Sequence, residues 1–102
     1  MAEMNVIWTE PALQELDEIA DYISLDNPSA AKKLVQQVFE RVELLSRHPE
    51  SGKKVNVFPV SVYREIVNPP CRVFYRVGDS AIYIIHIIRE EQLFHLDILK
   101  ER

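Results

Sequence analysis

Four arginines, Arg64, Arg72, Arg76 and Arg89, fall in one stretch of the chain among Phe74, Tyr83, Ile85, His86 and Ile87. Guanidinium groups stay protonated, fork onto carboxylates and phosphates, and stack on aromatic rings. With pKa values above about 12 they are poor at taking or giving protons. The chemistry they suggest is therefore recognition. Arginines beside aromatics on a sheet can receive an acidic peptide, grip RNA phosphate while a ring stacks a base, or form a solvated face. Docking of a protein is the first of these readings. His86 is the one acid–base group in the stretch.

Other chemistries find little support. His48, His86, His95 and Cys71 are scattered, with no CxxC or HxxxH spacing, so no metal is expected. Cys71 follows two prolines with no helix start to lower its pKa and is expected to be an inert thiol. Two glycines, Gly52 and Gly78, cannot build a phosphate-binding loop, and no cofactor is expected. The acidic residues Glu15, Asp17, Glu18 and Asp21 read as a solvated helix face rather than as paired catalytic carboxylates.

The elements that must carry these residues can be traced in order. Arg72 to Arg89 reads as a β-hairpin closed by a Gly78-Asp79 loop of the Gly-X kind. Pairing Val77 with Ser80 would put Val73, Tyr75, Val77, Ile82, Ile84, His86 and Ile88 on a core face. Arg72, Phe74, Arg76, Tyr83, Ile85, Ile87 and Arg89 would share the other, as a surface made to be covered. Upstream, Asn5 to Trp8 is a short strand, and Thr9 with Pro11 starts a helix to about Leu25. Asn27-Pro28 starts a second helix to about Arg47, ended by His48-Pro49, so the two form an antiparallel hairpin. Val55 to Val60 reads as irregular edge structure, Val62 to Val67 as a strand, and Asn68 to Cys71 as a turn. Whether Arg64 or Tyr63 joins the other arginines depends on the parity of that turn, and Arg64 is favoured, because burying it unpaired beneath helices would cost several kcal/mol. Residues 92–102 fit either a short helix or an extended segment.

The 102 residues, 47% hydrophobic, suit one domain spanning 1–102. No apolar run approaches the roughly 20 residues that span a bilayer, and the first residues lack a signal-peptide pattern, so a cytoplasmic protein without membrane contact is expected. The net charge of −4 is uneven. Residues 1–51 hold ten acidic side chains against four basic, and 52–102 hold six against eight. An acidic total disfavours charge-driven binding to nucleic acid, and no direct sequence-specific binding is expected.

An ordered set of residues resembles the ParE branch of the ParE/RelE toxins of type II toxin–antitoxin modules. The set is Trp8-Thr9, Ala12, Leu16, Ile19, Tyr22-Ile23, Ala30-Ala31, His48-Pro49, Gly52-Lys53, Tyr63-Arg64, Arg72 to Val77 and His86 to Glu90. The resemblance implies an α+β fold: a strand, a helical hairpin, then a three- to four-stranded antiparallel sheet. RelE-like members cut messenger RNA on the ribosome with a dense basic set and often a late tyrosine. Here Arg72 and Arg89 sit at two matching basic positions and Arg64 stands at a first lysine position, but Ile66 occupies the second, and no tyrosine follows Arg89. Lys53, in place of an arginine, and Pro69-Pro70 are smaller departures. The resemblance implies a non-enzymatic toxin that inhibits DNA gyrase and is neutralised by a cognate antitoxin. Its alternatives are a ribosome-dependent endoribonuclease and an inactive interaction module. Arg64, Arg72, Phe74, Arg76, Tyr83, Ile85, Ile87 and Arg89 are the candidate contacts to antitoxin or target.

Overall fold

A computed structural model of the chain describes residues 3–55 and 62–90. It begins with strand β1, Asn5–Trp8, followed by helices α1, Glu10–Ser24, and α2, Pro28–Glu43, the latter running into a 3₁₀ turn, Leu44–Ser46. Strands β2, Lys53–Lys54, β3, Tyr63–Asn68, β4, Cys71–Val77, and β5, Ala81–Arg89, complete the order. The irregular segment expected to Val60 and the alternatives for 92–102 lie outside the described residues, apart from Val55.

Local signals set both helices. The Thr9 hydroxyl accepts from Ala12 N, Asn27 Oδ1 accepts from Ala30 N, and each helix carries proline in its first turn. Thr9 also donates from its amide and from Oγ1 to Ile84 O, at 3.1 and 2.7 Å. One residue thus caps α1 and fastens the end of β1 to β5. Ala12, Leu16 and Ile19 of α1 and Ala31, Leu34, Val38 and Val42 of α2 are buried at three- and four-residue steps.

The strands form one mixed sheet in the order β1-β5-β4-β3-β2, with β1 parallel to β5 and the other pairs antiparallel. The α+β class holds, and the sheet gains an extra strand at each edge. The helices cover one face, packing on Cys71, Val73, Tyr75, Ile82, Ile84 and Ile87. A second apolar cluster, Val55, Phe74, Ile85 and Ile88 with Tyr63 and Tyr83, lies on the other.

The central hairpin departs from the expected register in two ways. Its loop is Asp79-Ser80, closed by Gly78 N donating to Ala81 O at 2.7 Å, and Val77 pairs with Ile82. No described residue has positive φ, so Gly78 does not play the left-handed part that a Gly-X turn demands. The shift is by two strand positions in total, so Tyr75 and Ile84 keep the helix side. The second departure is a β-bulge. Tyr75 pairs with Ile84 but Phe74 pairs with His86, so Ile85 is an extra residue. Beyond it the alternation reverses. Ile87, expected among the arginines, joins the helix-side core, and Ile88, expected in that core, joins Phe74 and Ile85. Hairpin periodicity carries no mark of a bulge, and an inserted residue moves every later side chain to the opposite face.

Candidate functional site

The bulge and the turn before β4 divide the arginines. Arg72 lies on the face away from the helices, its Nη2 2.6 Å from Glu65 Oε2 and its guanidinium 5.4 Å from the Phe74 ring centroid. Arg76 shares that face, 4.5 Å over the Tyr83 ring, and its strand partner is Tyr63. Arg89 is on the opposite side, 4.5 Å over the ring of Tyr22 in α1. Arg64 also leaves the expected cluster. It pairs with Tyr75, which packs in the helix-side core, and its Nη1 donates to Glu50 O and Gly52 O at 3.1 and 2.8 Å. Its charge is met by carbonyls of the 49–52 turn, so it lies under no helix at the cost first supposed, and Tyr63 takes its place beside Arg76. Arg64 borders a depression of about 310 Å³ with Pro49, Glu50, Lys54, Val62 and Val77, and the other three arginines do not line it.

The apolar members are divided as well. Phe74 is fully buried and Ile85 nearly so, while Tyr83 is half-buried under Arg76. Ile87 is in the helix-side core. Of the eight residues singled out, Arg72, Arg76, Phe74, Tyr83 and Ile85 come together. Arg64, Ile87 and Arg89 do not.

The site has a rigid support that the sequence signalled only through a Gly-Lys pair. Tyr75 is fully buried, its hydroxyl donating to Pro49 O and accepting from Gly52 N, both at 2.8 Å. A Cβ on Gly52 would stand 2.4 Å from the Tyr75 hydroxyl oxygen and 2.8 Å from Glu65 O. Glycine is required here by close approach, since its φ is ordinary. Burial pushes the Tyr75 phenol above its usual value of 10.0, opposed by the Gly52 amide and by the nearby Arg64 charge.

Two helix side chains finish the sheet where its edge strands stop short. Arg41 of α2 donates to Val67 O at 2.7 Å, beyond the end of β2. Glu15 of α1 accepts from Ile87 N at 3.1 Å, beyond the end of β1. Its other oxygen lies 2.5 Å from His86 Nδ1, without the alignment of a hydrogen bond. Glu15 was expected on the solvated face, yet it stands three residues after Ala12 and four before Ile19, a spacing that puts it at the rim of the buried stripe. His86 is buried, but not on the helix-side face expected of it: the bulge pairs it with Phe74, on the side of Arg72 and Arg76, with the two rings 6.0 Å apart. Its Nε2 has no hydrogen-bond partner among the described residues.

Such an arrangement of guanidinium groups suits recognition of an acidic or phosphate-bearing partner. The cations are committed to carboxylate, ring or carbonyl partners, and the imidazole is packed inside. Among the described residues no group of three or more His, Cys, Asp or Glu could hold a metal ion, and no helix is long and apolar enough to cross a membrane.

Comparison with known proteins gives the same architecture. The chain is 32% identical over 84 residues to toxin RelE2 of Caulobacter vibrioides, covering 81% of this chain and 91% of that one. Its fold matches the chromosomal ParDE toxin–antitoxin system of P. aeruginosa with a TM-score of 0.70 and 31% identity, over 85% of this chain and 96% of that chain. A mutant of E. coli RelE in the free state shares the fold alone, at TM-score 0.64 and 19% identity, over 99% of this chain and 94% of that one. Residues 6–94 match the family model of the ParE toxin of the type II toxin–antitoxin system parDE. The chain belongs to that family, and is a type II toxin of the ParE/RelE superfamily.

Proposed function

We propose that this toxin acts by binding and not by catalysis, that its target is DNA gyrase, and that an antitoxin of its own module neutralises it. The observation that carries the reading is the division of the arginines. Arg72 and Arg76 lie on one face of the sheet, Arg89 stacks on α1 at the other, and Arg64 is held by turn carbonyls. Cleaving RNA through its 2′-hydroxyl needs one group to take a proton and another to protonate the leaving oxygen. Arginines can only stabilise charge there, and His86 is buried against Glu15 and Phe74. The match to the ParE family model and the absence of the further lysine and late tyrosine favour gyrase over messenger RNA.

For the antitoxin we assign the surface around Arg76, Tyr83, Tyr63 and Arg72. Phe74 and Ile85 form its buried floor instead of supplying anchors themselves. An acidic segment laid across it would meet two guanidinium groups already oriented by ring and carboxylate.

Parallel assays test the choice of target. Purified toxin is expected to block supercoiling by gyrase, or to trap its cleaved DNA, and to leave ribosome-bound messenger intact. Messenger cleavage that is lost in His86→Ala, with supercoiling untouched, would establish the ribonuclease instead.

A further inference from the structure

We propose that Glu15 is a positioning residue: its carboxylate holds the bulge at Ile85, and the bulge decides which face of the sheet presents Arg89. The consequence for partners rests on the reading of the arginine surfaces given above, but the positioning itself does not.

The need for Glu15 arises from the sheet's construction. β1 pairs only with Ala81 to Ile84, and the chain then turns into α1 at Thr9, whose amide and hydroxyl take up Ile84 O. Past that point β5 continues to Arg89 with no described strand on its outer side. Ile87 is 2% exposed, so its amide needs a partner inside the protein. Glu15 supplies one oxygen to that amide and sets the other against His86 Nδ1. The two residues it touches directly follow the inserted Ile85. Glu15 therefore grips the strand at the point where the alternation has just reversed.

The reversal has a definite effect on charge. If the register continued unbroken from the Tyr75–Ile84 pair, the odd-numbered residues 85, 87 and 89 would share the face of Arg72 and Arg76. With the bulge, Ile87 enters the helix-side core and Arg89 reaches Tyr22. Three arginines on one face become two. Glu15 and Tyr22 lie seven residues apart on α1, so one side of this helix fixes both the bulge and the arginine that the bulge redirects.

The test is amide exchange and side-chain NMR on the full chain. In Glu15→Ala the Ile87 amide is expected to exchange at least about tenfold faster, while Val73 and Ile84 amides keep their protection. The Arg89 side-chain protons should lose the ring-current shift imposed by Tyr22. Unchanged Ile87 exchange, or unmoved Arg89 resonances, would overturn the proposal. If Glu15→Ala does not fold, Glu15→Gln decides, because its amide oxygen can still accept from Ile87 N. Retained Ile87 protection then supports the role, and accelerated exchange refutes it. Partner binding is read separately by calorimetry with the purified antitoxin. Reporters that move while affinity stays constant would uphold the positioning role and remove Arg89 from the contact surfaces.

Discussion

Gly52→Ala is expected to be among the most damaging single-methyl additions in the described chain. The new Cβ would stand 2.4 Å from the Tyr75 hydroxyl oxygen, 2.7 Å from Tyr75 Cε1 and 2.8 Å from the carbonyl of Glu65. None of these can retreat cheaply. The ring of Tyr75 is fully buried in the helix-side core, and the Glu65 carbonyl belongs to a strand paired on both sides. Relief requires the 49–52 turn to lift, which breaks the 2.8 Å bond from Gly52 N to the tyrosine and strains the Arg64 contacts to Glu50 O and Gly52 O. Overpacking of this kind costs about 1–3 kcal/mol and a lost buried hydrogen bond about 1 more. The sum, roughly 2–4 kcal/mol, should lower Tm by about 10–25 °C in a domain of this size. Circular dichroism melting with a urea titration reads it directly. A shift below about 2 °C would show that the turn is not clamped on Tyr75.

Other contacts give further outcomes. Tyr75→Phe leaves the Gly52 amide and the Pro49 carbonyl without the hydroxyl and should cost about 1–3 kcal/mol in urea unfolding. Because burial raises the phenol's pKa in the folded state, its contribution is complete below pH 10 and is lost as pH rises toward the folded value. Alkaline melting should therefore fall more steeply in the wild type than in Tyr75→Phe, and equal slopes would contradict this. Leu16→Ala or Leu34→Ala, each removing a buried side chain from the helix side of the core, should cost about 2–5 kcal/mol, and a change under about 0.5 kcal/mol would place them outside it. Arg76→Glu should weaken antitoxin binding and flatten its salt dependence without the folding penalty that Arg72→Glu would incur beside Glu65, whereas unaltered affinity in calorimetry would remove that surface from the interface.

Much of the scaffold was legible because its signals are local. Thr9 and Asn27 announce their helices, proline fills the first turns, and the stripes from Ala12 to Ile19 and from Ala31 to Val42 repeat at helical spacing. The division of the candidate surface was not legible, for reasons that depend on distant pairing. Whether β1 would join β5 in parallel, and where it would stop, is settled by the Thr9–Ile84 bonds across the sheet. The bulge appears only once β4 and β5 are paired, and it moved His86, Ile87, Ile88 and Arg89 together. Arg64 fell with Tyr75 because Asn68 pairs with Cys71 across Pro69-Pro70, a parity that the four residues do not declare. Glu15 was within reach. Its spacing to Ala12 and Ile19 marks the rim of a buried stripe, where a carboxylate can turn inward to a strand edge.

The claim that this toxin binds its target and does no chemistry on RNA is tested most directly by gyrase itself. Relaxed plasmid, gyrase and ATP are incubated with purified toxin at increasing concentration, and the topoisomers are resolved on a gel. Loss of supercoiling or accumulation of cleaved linear DNA is the expected result. Undiminished supercoiling at toxin concentrations well above that of the enzyme, by a preparation that cleaves ribosome-bound messenger, would contradict it.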